Sequence, residues 1–135
     1  MPSEPFASLD LSPEQTAAAL PYVGLADAVQ ALLQDPQVQV PERLVQALEG
    51  GGSLFVMPAA DGRLAMTKLI TFVAGNPGHG LPAIQGDVIV FDPSNGQRQV
   101  ILHGPTVTAR RTAAVSLLAA QTLAPNPNGP LLIVG

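Results

Sequence analysis

The sequence contains no cysteine and no tryptophan, and charged residues of both signs are scarce. Without cysteine, the chain can form neither disulfides nor thiolate metal sites. Charged residues make up 12% of the 135 residues, which is about half of the fraction usual in globular domains. Six basic residues and a net charge of −4 predict that the protein does not bind nucleic acid. The scarcity of charge also predicts that part of the surface is covered, by a partner or by further polypeptide.

Long apolar runs and metal-ligand patterns are absent as well. No run reaches the roughly 18 apolar residues of a membrane span, and residues 1–15 are acidic, unlike a signal peptide. These absences predict a cytoplasmic protein that does not contact a membrane. His79 and His103 are isolated, so no metal site is predicted. No aspartate or glutamate follows Asp92, so a catalytic acid or base has to come from earlier residues, from Lys68 or from further polypeptide.

Helical signals dominate the first part of the chain, after a leader at residues 1–11. Ser12, Pro13 and Gln15 have the spacing of a capping box with proline at the first helical position. Pro21 interrupts this short helix. Residues 22–35 then carry apolar side chains at helical spacing, which predicts a second helix.

The middle of the chain alternates between strand patterns and turn signals. Asp61-Gly62 is a strong hairpin turn between two apolar runs, and residues 86–104 form a second hairpin pattern around PSNG. The segment ERLVQALEGGG fits a helix or a strand, and we favour the strand. The fold class predicted is therefore α+β, with an antiparallel or mixed sheet and flanking helices.

An apolar helix is predicted from Thr108 to about Leu123, with Thr108 as its cap, and the pattern LLIVG then predicts a buried strand. Arg110 and Arg111 lie at the predicted helix start, where a cation opposes the helix dipole. Arginine together with free backbone N–H groups forms a site for a carboxylate or a phosphate, and the Thr112 hydroxyl can reach the same anion. The alternative is that both arginines are simply solvated.

Two further cations are candidates for chemistry. Lys68 is the only lysine and lies in the apolar pattern LAMTKLITFV, where an ammonium group must be paired or must face a cleft. The alternative is a lysine of an edge strand whose side chain extends to solvent. Arg43, from pattern alone, is better explained as a surface arginine paired with Glu42 or another acid. The glycine-rich residues 75–82 lack a Gly-Lys-Ser/Thr sequence and are better explained as a wide turn than as a phosphate loop.

In order and spacing, residues 40–135 resemble the N-terminal half of the ornithine cyclodeaminase/mu-crystallin family. The matching pieces are PERLV, SLFVMPA, MTKLITFVAGNPGHGLPAIQG, VIVFDPSNGQ, TVTARRTAAVSLLAAQTLA and LLIVG. The resemblance implies a two-domain enzyme that uses NAD(H) or NADP(H) and forms a homodimer through its N-terminal sheet. Residues 1–124 would be the substrate-binding and dimerisation domain. Residues 125–135 would be a linker and the first strand of a Rossmann domain.

The resemblance also implies roles for individual residues. Arg43, Lys68 and Arg111 would hold the α-carboxylate of an amino or imino acid, and Lys68 would lie near the reacting carbon as a catalytic residue. The cofactor would contact three residues, which are Asn76, Thr112 and Gly135, the first glycine of a G-x-G-x-x-G motif. Arg110 stands where the family often has an apolar residue and receives no role.

Family members include ornithine cyclodeaminases, alanine dehydrogenases and reductases of cyclic ketimines, whose substrates all carry an α-carboxylate. The general acid/base aspartate of the family lies in the Rossmann domain, so residues 1–135 alone are expected to be inactive. Two other functions stay open: a binding protein of the same fold with little catalysis, and a bare dimerisation module.

Overall fold

The computed structural model describes residues 9–134, which form one six-stranded sheet with three helices. The strands are β1 (Leu9–Asp10), β2 (Leu44–Leu48), β3 (Gly52–Ala60), β4 (Ala65–Phe72), β5 (Ile84–Phe91) and β6 (Arg98–His103). The helices are α1 (Pro13–Ala19), α2 (Tyr22–Gln34) and α3 (Gly104–Leu123), and a 3-10 turn spans Asn76–His79. The predicted α+β fold with a mixed sheet and flanking helices is confirmed.

The strands lie in the order β1-β6-β5-β4-β3-β2. Consecutive strands from β2 to β6 pair antiparallel, as hairpin connections allow, and β1 pairs with β6 in parallel. The two predicted hairpins, β3–β4 and β5–β6, are confirmed. The ambiguous segment ERLVQALEGGG contains β2, which pairs with β3, so the strand interpretation is confirmed.

Helix α3 packs over the middle of the sheet, against β4, β5 and β6. At its first turn two glycines meet, because a Cβ atom on Gly104 would lie 2.5 Å from the carbonyl oxygen of Gly86. Val88 and Ile70 of the facing sheet surface are buried, and so is Ala114 of α3. The glycine contact therefore sets how closely α3 approaches the sheet.

The predicted start of α3 was wrong, because the helix begins at Gly104 and not at Thr108. His103 occupies the cap position, and its Nδ1 accepts a hydrogen bond from the Thr106 N–H. Pro105 suits the first helical turn, where its missing N–H has no intrahelical partner. Thr108 lies inside the helix, and its hydroxyl donates to the Gly104 carbonyl at 2.9 Å.

Helices α1 and α2 follow each other with a bend of 65°. The predicted capping box at Ser12 is confirmed. Thr16 of α1 is fully buried, and its hydroxyl accepts from the His103 N–H at 3.1 Å, which joins α1 to the end of β6. Within residues 9–134 no single helix is long and apolar enough to cross a membrane, and only α1 and α2 together, as a bent pair, reach that length and composition.

The predicted C-terminal strand is not found. Residues 131–134 have no regular secondary structure, and their apolar side chains are exposed. A buried strand needs neighbouring strands to pair its backbone N–H and C=O groups, and the sheet of residues 9–134 contains no strand paired with this segment. Gly135 lies outside the residues described, and the domain boundary at residue 124 stays a prediction.

Candidate functional site

Lys68 lies in β4, an interior strand between β3 and β5, so the edge-strand alternative was wrong. Its partners across the sheet are Met57 on one side and Val88 on the other. Because directly opposite residues share a face of a sheet, Lys68 projects to the same side as the buried Val88, toward the helices. The half-buried lysine therefore faces the space between the sheet and the helix layer.

Arg111 of α3 approaches Lys68 from the helix layer. It lies two turns after the buried Gly104 and one turn before the buried Ala114, so helical periodicity directs it toward the sheet. Burial lowers the pKa of Lys68 by removing water from the ammonium group, and the positive charge of Arg111 lowers that pKa further. We call these two residues the cation pair.

No carboxylate neutralises the cation pair in the part of the chain that the structure describes. The ion pairs found there join Arg63 to Asp61 and to Asp35. Arg43 is a surface residue, as predicted, but no ion pair between it and Glu42 or another acid is found among residues 9–134. Uncompensated cations that share one space favour the binding of an anion, above all a carboxylate or a phosphate.

Arg43 belongs to the same row of the sheet as Lys68. Leu44 pairs with Val56, and continuing this register by one residue sets Arg43 opposite Met57, whose other neighbour is Lys68. The two Cα atoms are thus two strand spacings apart, about 10 Å. Arginine and lysine side chains are long enough to approach one ligand from the two sides of Met57.

The anion site does not lie at a helix terminus, contrary to the prediction. Arg110, Arg111 and Thr112 lie in the second and third turns of α3, because the helix begins at Gly104. Backbone N–H groups at those positions are bonded within the helix. The prediction of free N–H groups beside the arginines was wrong, so positive charge at this site comes from side chains alone.

Arg110 turns away from the cation pair and is not simply solvated, as the alternative interpretation had it. Its guanidinium donates to the Leu20 carbonyl at 3.0 Å and lies over the Tyr22 ring, 4.2 Å from the ring centroid. We call Arg110, Leu20 and Tyr22 the Arg110 cluster.

The two described residues predicted to contact the cofactor do not touch each other. Thr112 follows Arg111 and is therefore rotated by about 100° around the helix, on the exposed side of α3. Asn76 lies in the 3-10 turn after β4, where its side-chain N–H donates to the Pro82 carbonyl at 3.0 Å. This bond closes the loop at residues 75–82, which is a wide turn as predicted.

An apolar groove of about 460 Å³ begins at Arg111 and continues between α2 and the β3–β4 hairpin. Its acidic residue, Asp61, is bonded to the side chain of Arg63, which holds the pKa of that carboxyl at about 2. The groove therefore offers one exposed cation and otherwise apolar walls. We call it the α2 groove; it is lined by Val29, Leu32, Leu33, Val38, Val40, Ala59, Ala60, Asp61, Leu64, Met66 and Arg111.

Sequence reasoning missed the α2 groove and the Arg110 cluster. The groove combines α2 with a hairpin that is distant in the chain, and neither segment carries a pattern that indicates the other. A signal for Arg110 did exist, because adjacent residues on a helix cannot face the same target. The adjacent Arg110 and Arg111 were therefore expected to have different partners.

Comparison with known proteins identifies relatives with named activities. The sequence profile of the ornithine cyclodeaminase/mu-crystallin family matches residues 15–135. The Delta(1)-pyrroline-2-carboxylate reductase 1 of Burkholderia multivorans is 42% identical over 121 residues, which are 87% of this chain and 39% of that protein. The Delta(1)-pyrroline-2-carboxylate/Delta(1)-piperideine-2-carboxylate reductase of Azospirillum brasilense is 40% identical over 123 residues, 89% of this chain and 40% of that protein.

A solved structure has the same architecture. An archaeal alanine dehydrogenase dimer with bound NAD superposes with a TM-score of 0.75 at 26% identity, over 87% of this chain and 37% of that one. The chain thus spans about two fifths of the length of these two reductases. From the family match over residues 15–135 and these identities, the chain belongs to the ornithine cyclodeaminase/mu-crystallin family.

Proposed function

We propose that the protein is an NAD(P)-dependent reductase of cyclic imino acids and that this chain holds its carboxylate-binding site. The observation that carries the proposal is the cation pair, Lys68 and Arg111, which has no counter-ion among residues 9–134. Arg43 lies on the same row of the sheet. An α-carboxylate is the anionic group that the named substrates of both reductases share, and it fits this charge.

Each of the three cations would have a role in substrate binding that follows from its chemistry. Arg43 and Arg111 carry guanidinium groups, which donate paired hydrogen bonds to the two carboxylate oxygens. Lys68 would lie next to the reacting carbon, with its Nζ toward the substrate. Its lowered pKa makes the Nζ proton easier to transfer near neutral pH than that of an ordinary lysine.

Two of the described residues would contact the cofactor, which supplies the hydride when it is bound. Thr112 suits a phosphate contact because its hydroxyl lies on the exposed side of α3 beside the small and exposed Ala113. Asn76 uses one N–H for the Pro82 carbonyl and retains its amide oxygen and second N–H for a ligand. The alanine dehydrogenase with bound NAD supports a nicotinamide cofactor, NAD or NADP, for this protein.

The α2 groove favours imine reduction over the cyclodeamination of ornithine. A cyclic imino acid carries only methylene groups beyond its reacting centre, and these suit apolar walls. Ornithine would bring an ammonium group into the groove, where burial without a partner is costly. The carboxylate of Asp61 would stabilise that ammonium group only weakly, since Arg63 already neutralises it.

We also propose that the protein forms a homodimer through the sheet face opposite the helices. Ile89 and Ile101 pair across β5 and β6 on that face, and Thr67 is the next residue in the row. The Thr67 hydroxyl is buried and has no hydrogen-bond partner among residues 9–134. An apolar face of this kind is suited to packing against a second copy.

The test is the oxidation of NADH or NADPH by the intact protein, followed by nicotinamide absorbance. We expect turnover with Delta(1)-pyrroline-2-carboxylate and none with ornithine. Lys68→Ala and Arg111→Ala should each lower kcat/KM by about 100-fold or more, as the loss of a charge-stabilising donor does in other enzymes. Arg98→Ala, at an exposed position on β6, is the control and should retain full activity.

Each competing function predicts a different result. Unchanged turnover in both the Lys68 and Arg111 variants would contradict the assigned site. Dinucleotide binding without turnover of any imino acid would instead identify a binding protein of this fold. Dimers that bind no dinucleotide would identify a dimerisation module.

A further inference from the structure

The Arg110 cluster joins all three helices at one point, and the proposed function leaves it without a role. Leu20 is the C-cap of α1, Tyr22 is the first residue of α2, and Arg110 belongs to α3. The guanidinium satisfies a carbonyl at the end of α1 and stacks on the ring that begins α2. It therefore holds the 65° bend between α1 and α2 against the helix that carries Arg111.

The direction of α2 determines one wall of the α2 groove. Leu32 and Leu33 line the groove and lie about 15 Å along the helix from Tyr22, at 1.5 Å per residue. A tilt of about 10° at Tyr22 would displace them by about 2.5 Å, more than the spacing of two bonded carbons. A small change at the bend thus becomes a change in groove width beside Arg111.

The other end of α2 is held more weakly. Asp35, the C-cap of α2, approaches Arg63 at 3.5 Å, and the Arg63 side chain is 71% exposed. An exposed ion pair of that length contributes little. Besides its packing on α3, α2 is therefore held at its first residue by the Arg110 cluster.

We propose that Arg110 is a positioning residue that sets the width of the α2 groove and thereby the size of the substrate ring accepted beside Arg111. This inference rests on the proposed function for its substrate. It predicts that the carboxylate site is unaffected by changes at Arg110, whereas contacts between the groove wall and the distal methylene groups of the substrate are lost.

The test compares two substrates in the intact protein, the five-membered Delta(1)-pyrroline-2-carboxylate and the six-membered Delta(1)-piperideine-2-carboxylate. Arg110→Met removes the donor and the charge but keeps an apolar stem. We expect it to lower kcat/KM for the six-membered ring by about tenfold more than for the five-membered ring, as one misfitted methylene group can. The loss should appear in KM, with kcat changed less than twofold.

Three variants control the experiment. Arg110→Lys keeps the charge and a donor for the Leu20 carbonyl but cannot stack as a planar group, and it should restore part of the ring preference. Tyr22→Phe keeps the aromatic face and should behave as the parent protein. Tyr22→Leu removes the face and should reproduce Arg110→Met, which keeps the test decisive if Arg110→Met fails to fold.

A second readout does not need turnover. Amide hydrogen exchange should increase in α2 (Tyr22–Gln34) of Arg110→Met and stay unchanged in β4 (Ala65–Phe72). An unchanged ring preference in the Arg110 variants of an active protein would overturn the inference and leave the proposed function intact. A parent protein inactive on both rings would overturn the proposed function, and unchanged exchange in α2 would still overturn the positioning role.

Discussion

Lys68 illustrates how a single side chain acquires its chemistry from two different elements. The strand supplies burial, and the helix above supplies the charge of Arg111; both lower the pKa of the lysine. In an ordinary surface lysine neither cause operates. The residue type was visible in the sequence, but its state depends on neighbours that are far away in the chain.

The lowered pKa of Lys68 determines how kcat/KM should depend on pH. In the proposed site, protonated Lys68 binds the carboxylate, so kcat/KM should be constant at lower pH and fall as pH rises through the lowered pKa. Arg111→Gln removes one of the two causes, so the pKa of Lys68 should rise toward the ordinary value of 10.5. The alkaline limb of the pH profile should then move to higher pH, although activity is lower throughout.

Arg111→Lys is the matched control for this shift. It retains a positive charge beside Lys68, so the alkaline limb should stay near its original position. A limb that remains fixed in Arg111→Gln would show that another group titrates there. A limb that moves equally in both variants would show that charge is not the cause.

The contact between α3 and β5 decides the geometry of the site at the scale of secondary structure elements. Gly104 and Gly86 let the first turn of the helix touch the strand, and Arg111 lies two turns further along the same side. Sequence patterns predicted that a helix follows β6. They did not show where the helix touches the sheet, because a glycine pair at a crossing has no periodic signal.

Gly104→Ala tests this contact, because helix propensity and steric overlap change the free energy of unfolding in opposite directions. Helix propensity alone predicts stabilisation by about 1 kcal/mol, whereas overpacking predicts destabilisation by about 1–3 kcal/mol. The new Cβ would lie 2.5 Å from the Gly86 carbonyl oxygen, so the steric cost should prevail and the free energy of unfolding should fall. Chemical denaturation of the intact protein measures the change.

Gly62→Ala is the control, since the nearest atom to its added Cβ is a side-chain oxygen at 3.9 Å. Its stability should change by less than about 0.5 kcal/mol, as for most surface substitutions. Stabilisation by Gly104→Ala would contradict the close contact between α3 and β5.

In the whole molecule, one face of the sheet is left uncovered by the helices of residues 9–134. The helices cover one face of the sheet, and the opposite face carries Ile89 and Ile101. The scarcity of charge in the sequence predicted a covered surface, and this face is suited to be one. The cytoplasmic location stays a prediction.

Ile89→Lys should dissociate the proposed dimer. A lysine at the centre of an apolar interface leaves an unpaired charge buried in the assembly, whereas in a monomer the same lysine reaches water. Sedimentation equilibrium should therefore give the monomer mass for this variant and twice that mass for the parent protein. Gln97→Lys, in the exposed turn before β6, should stay dimeric, and a dimeric Ile89→Lys would exclude this face as the interface.

The amino-acid sequence by itself determined the local structure. Alternating apolar residues and the Asp61-Gly62 turn specify hairpins, and Ser12 specifies a helix start, because these signals act between residues close in the chain. The order of the six strands, the interior position of Lys68 and the contacts of Arg110 with Leu20 and Tyr22 were decided only by the tertiary structure. Each depends on contacts between segments that are distant in the chain, and local sequence patterns carry no information on the energies of such contacts.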